Sequence, residues 1–93
     1  MKNKKINSVR IKLDNLDNKL LDLIKKRTSL VNQILKAKKF KKQIVDKKRI
    51  KVILKRIRKK SQQRKLDTKL TNRILKSMIY SYIDYEYRNF KKR

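Results

Sequence analysis

At 93 residues the chain can form at most one domain with a modest core, and its 32 Lys plus Arg against 7 Asp plus Glu give a net charge of +25, which favours anionic partners. Cysteine and histidine are both absent, which excludes disulfides, thiolate nucleophiles, imidazole bases and the usual zinc ligands. Glycine and proline are absent as well, so tight hairpins and phosphate-cradling loops are excluded and an all-α chain with polar connectors is expected.

Residues 1–6 read as a basic, disordered start. Met1 to Lys5 is not followed by the sustained apolar region of a signal peptide. No run approaches the roughly 20 apolar residues of a membrane span, so a cytoplasmic protein is expected. Asn7 or Ser8 can cap a first helix over about residues 8–39. Ile6, Val9, Leu13, Leu16, Leu20, Leu23, Leu30 and Ile34 recur three and four apart, as one face of a helix requires. Arg27 falls where the next apolar residue of that stripe belongs, and Arg10 and Lys38 border its edge. A helix of this length spans about 48 Å, too long for the rest of the chain to cover, so pairing with a second copy is expected.

Phe40 to Val45 reads as a connector, and Asp46 as the N-cap of a second helix over about residues 47–60. Ile50, Ile53, Leu54 and Ile57 make its apolar face, opposite a basic one of Lys47, Lys48, Lys51, Lys55, Arg58 and Lys59. The polar patch Ser61 to Lys65 separates it from a third helix over about residues 68–90, which Asp67 or Thr68 can cap. That helix turns Leu70, Ile74, Leu75, Met78, Ile79, Tyr82, Ile83 and Phe90 inward, and Glu86, the single glutamate of the chain, shares the stripe.

Helical arithmetic limits what the seam cations can do. Arg10 and Arg27 are about 25 Å apart along the axis, too far to grip one small molecule, whereas Arg27 and Lys38 are about 16 Å apart and within about 20° of each other around it. Two long side chains so placed can converge on an anion between them. Arg10 joins only if an antiparallel second copy brings its N-terminal end alongside, which gives two equivalent sites per dimer.

The run Val9-Arg10, Leu13, Leu16-Asp17, Leu20-Leu21, Leu23-Ile24, Arg27, Leu30-Val31 and Lys36-Ala37-Lys38, followed by Asp46-Lys47-Lys48-Arg49 and Leu66-Asp67, resembles the all-helical chorismate mutases over about residues 6–90. The resemblance implies three helices per chain, one long and two shorter, intertwined as a six-helix homodimer. It implies the rearrangement of chorismate to prephenate, a pericyclic step with no cofactor and no metal, on a small dianionic substrate. It also implies roles by position. Arg27 clamps a carboxylate, Arg10 reaches the other chain's site, and Lys38 meets a carboxylate and the ether oxygen. Arg49 supports the anionic pocket, and the backbone near Asp46 receives the substrate hydroxyl.

Three positions depart from the family pattern. Ile50 stands where a hydroxyl-binding glutamate is usual, and Tyr82 where a serine is, with Ser81 adjacent. Glu86 stands where a glutamine donates to the ether oxygen, and a carboxyl group donates only when protonated. Apolar 50 and aromatic 82 are similar to the isochorismate-pyruvate lyases of the same fold, the alternative activity. A basic nucleic-acid-binding protein, with Tyr80, Tyr82, Tyr85 and Tyr87 stacking on bases, explains the charge but not cations on an apolar seam. Contacts with nucleic acid are therefore expected to be non-specific, and a purely structural helical dimer leaves the same cations unexplained.

Overall fold

The structure, a computed structural model, describes residues 2–90, and every regular element among them is helical. Helix α1 runs Lys2–Ala37, α2 Lys47–Gln63 and α3 Thr68–Asn89, with one 3₁₀ turn at Lys41–Gln43 between α1 and α2. The fold is all-α with three helices, one long and two shorter.

The beginning of α1 differs from expectation. Residues 2–6 are helical rather than disordered, and Asn7 and Ser8 lie inside the helix, because nothing from Lys2 onward breaks it and lysine and isoleucine both tolerate helical backbone. Met1 lies outside the described residues. The helix also ends earlier, at Ala37. The Lys38 amide bonds the carbonyls of Ile34 and Leu35, both at 3.2 Å, but the next two amides leave the helical ladder. Gln43 Oε1 accepts from the Lys39 N–H at 2.7 Å and the Phe40 N–H at 2.8 Å, which turns the chain away and orders the connector.

The chain divides into two compact units between Gln33 and Ile34. In the first, no described side chain is buried, and the apolar stripe of α1 lies open to solvent. In the second, Leu35, Ile44 and Ile79 form the buried core, and α2 packs on α3 as a hairpin.

Asp46 caps α2 by accepting from the Arg49 N–H at 3.0 Å, and Asp67 caps α3 by accepting from Lys69 and Leu70 at 2.9 and 3.1 Å. Each such cap stabilises its helix by about 1 kcal/mol. The polar stretch at Ser61 does not separate the helices as expected, because α2 continues to Gln63 with Ser61 buried. Its hydroxyl donates to the Ile57 carbonyl and meets Thr71 Oγ1, each at 2.7 Å, so the burial is satisfied within the hairpin. Beyond it the Leu66 N–H bonds the Ser61 carbonyl and the Lys65 N–H that of Gln62, a Schellman closure with Lys65 in the left-handed region at φ 56°. Glycine usually occupies that position.

Candidate active site

Lys38 is the first residue beyond α1, at the negative end of the helix dipole, where a cation is favoured. Glu86 lies two turns after Ile79 on the buried face of α3. The fold brings these two together across 48 residues: Lys38 Nζ donates to Glu86 Oε1 at 3.1 Å, and 18% of the lysine side chain and 10% of the glutamate's remain exposed. A second N–H of the ammonium points to the Ile44 carbonyl at 3.5 Å. Of its three donors, one remains for a ligand. Removing either partner of so shielded a pair leaves an uncompensated charge, at a cost of up to about 3 kcal/mol given the residual exposure.

Lys38 also lines a cavity of about 640 Å³ with Gln43, Val45, Asp46, Lys47 and Lys48. Asp46 thus shares the cavity with Lys38. Its carbonyl already accepts from the Ile50 N–H at 3.0 Å and its carboxylate from Arg49, which leaves each oxygen a further lone pair for a ligand. Arg49 is exposed in the first turn of α2, and Ile50 is half-buried behind it. Tyr82 is half-buried, its ring packed edge-on against Tyr85 at 6.2 Å and 83°, while Ser81 is exposed.

Arg10 and Arg27 belong to the first unit. Arg10 is exposed and borders a nearly wholly apolar groove of about 470 Å³ formed by Lys5, Ile6, Val9 and Leu13. Arg27 is half-buried. Both lie on α1, separated by about 25 Å of rise, so within one chain they do not meet at one small ligand.

Gln43 escaped the sequence reasoning, although it both closes the connector and lines the Lys38 cavity. Its signal was available: a glutamine three residues after the start of a turn reaches back to the free amides there. Val45, Lys47 and Lys48 were read as connector and outer face, yet they line the same cavity.

An ammonium with a spare donor, beside a shielded carboxyl group and an open cavity rich in cations, suits a small organic anion in which negative charge develops. No helix among the described residues is long and apolar enough to cross a membrane. A family model described as chorismate mutase type II matches residues 9–87, most of the chain. Neither the curated proteins nor the solved structures yield a match. With this match spanning all three helices, the chain belongs to the chorismate mutase type II family, the all-helical isomerases that convert chorismate to prephenate on the way to aromatic amino acids.

Proposed function

We propose that chorismate rearranges in a cationic pocket completed by two copies of this chain, with Lys38 and Glu86 at the breaking C–O bond. The observation that carries this site is the Lys38–Glu86 contact at 3.1 Å beside the cavity that Asp46 also lines. The reaction is intramolecular: one C–O bond breaks as one C–C bond forms, and no proton is exchanged. Negative charge grows on the ether oxygen as the bond opens. Lys38 directs its spare N–H there, and Glu86, once protonated, donates a second hydrogen bond. Donors fixed in a poorly solvated site stabilise such charge without reorganising, typically by about 2.7–4 kcal/mol each.

The remaining residues hold the substrate folded. Arg27 grips one carboxylate through its planar fork, Arg10 of the partner subunit grips the other, and Arg49 adds positive potential. The Asp46 backbone takes the hydroxyl, while Ile50 and Tyr82 supply apolar walls. Confining the flexible dianion to its reactive conformer lowers the barrier further.

Pairing of two copies is favoured by the open stripe of α1, where Ile6, Val9, Leu13, Leu16, Leu20, Leu23, Leu30 and Ile34 are 46–60% exposed. Covering the exposed half of each is worth about 1 kcal/mol, hence about 16 kcal/mol for two chains. That outweighs an association cost of about 4–15 kcal/mol. We also take the enzyme to be cytoplasmic.

The test is product identification after incubating purified protein with chorismate and, separately, isochorismate. Prephenate from chorismate is expected. Pyruvate and salicylate from isochorismate, with chorismate untouched, would instead assign the lyase reaction of the same fold.

A further inference from the structure

Outside the Lys38 cavity, the flank of the α2–α3 hairpin carries a second concavity of about 430 Å³, lined by Leu54, Lys55, Arg58, Thr68, Lys69 and Asn72. We propose that this cleft is a second anion site, one that takes a tetrahedral phosphate dianion, free or as a small monoester. It has no part in the chemistry at Lys38. Lys69 and Glu86 are seventeen residues apart on α3, about 25 Å of rise, beyond the reach of one small ligand.

The donor set points to phosphate. Lys55 and Arg58 stand one turn apart on α2, and Lys69 faces them from the first turn of α3, so three cations line one concavity. Thr68 adds a hydroxyl and Asn72 an amide, the neutral donors that complete the shell of a phosphate oxygen. Among the described residues, none of these five side chains is engaged in a hydrogen bond or an ion pair. Among the described residues, no carboxylate lines the cleft. The nearest in sequence, Asp67, is committed to the Lys69 and Leu70 amides as the α3 cap. Three like charges lining one concavity repel one another, and a dianion relieves that repulsion while matching the guanidinium fork.

Accessibility and size favour a small ligand. Of the exposed large hydrophobic side chains of α3, Leu70 and Ile74 lie level with the cleft, and each is about 160° around the helix from Asn72, so a partner seated on that side leaves the cleft open. The volume falls within the range of small-molecule sites, about 300–1,000 Å³.

The test is calorimetric titration of the full chain at 0.15 M NaCl with inorganic phosphate, glycerol 3-phosphate and a single-stranded oligothymidylate. It compares the parent with Arg58→Gln, Lys69→Gln and, as a charge-matched control on α1, Lys12→Gln. Saturable binding of one phosphate or phosphate ester per chain is expected, weakened about tenfold or more by Arg58→Gln and Lys69→Gln and unchanged by Lys12→Gln. A tighter ester identifies the ester as ligand, and equal affinities identify the phosphate group alone; either outcome supports the site. Equal weakening by all three substitutions, many ions bound per chain, or an oligonucleotide that outcompetes phosphate at the cleft overturns it. Unchanged helical circular dichroism of the variants excludes misfolding as the cause of lost binding.

Discussion

Lys38 Nζ and Glu86 Oε1 stand 3.1 Å apart, the ammonium donating to the carboxylate, at a place where both side chains are largely removed from water. In that geometry Glu86 accepts a hydrogen bond. To donate one to the ether oxygen of chorismate it must first take up a proton, and Lys38 must turn its N–H toward the substrate.

The role of Glu86 follows from the same geometry. A carboxylate accepts hydrogen bonds and cannot donate one, whereas the amide of Glu86→Gln donates without taking up a proton. The kcat for prephenate formation should therefore rise in Glu86→Gln, measured against the parent in the same buffer. A kcat unchanged or lower would remove Glu86 from the ether-oxygen role.

Stability and catalysis should separate at Lys38. In Lys38→Met, Glu86 is left shielded without its counter-charge, so urea unfolding should show a loss of about 3 kcal/mol or somewhat less, given the residual exposure of the pair. Prephenate formation should fall about 100-fold or more, because one donor to the developing charge is gone. Adding Glu86→Gln should recover most of the stability while activity stays low. A double variant as unstable as the single one would show that the pair contributes little to the fold.

Lys65 closes α2 in the left-handed region, which disfavours a residue bearing a Cβ by about 1–2 kcal/mol. Lys65→Gly removes that penalty but adds backbone freedom to the unfolded chain. The net expectation is a gain of up to about 1 kcal/mol, read as a higher Tm with unchanged kcat. A lower Tm would mean that the lysine side chain itself supports the turn.

How much was legible in the sequence depends on the range of the interaction concerned. The α1 stripe from Ile6 to Ile34 and the caps at Asp46 and Asp67 are local signals, written within one or two turns. Residues 2–6 were misread because charge density suggested disorder, while the backbone answers to the absence of breakers. Ser61 was misread for another reason: the Thr71 hydroxyl that makes its burial tolerable is ten residues away on the next helix. The Lys38–Glu86 pair spans 48 residues and has no periodic signature; only the ordered family motif suggested that the two share a site. The α2–α3 cleft was hidden by the uniform basicity of the chain, in which Lys55, Arg58 and Lys69 look like any other exposed cations.

The central claim is that each pocket is completed by two copies of the chain, and mixing two inactive variants tests it most directly. Arg10→Ala retains Arg27 and Arg27→Ala retains Arg10, so each homodimer lacks one carboxylate clamp in both pockets. In a heterodimer one pocket has both arginines and the other neither. Unfolding the two variants together at equal concentration and refolding them should return about one quarter of the parent rate of prephenate formation, because half the dimers are mixed and half of their sites intact. A rate no higher than that of the separate variants would contradict the shared pocket.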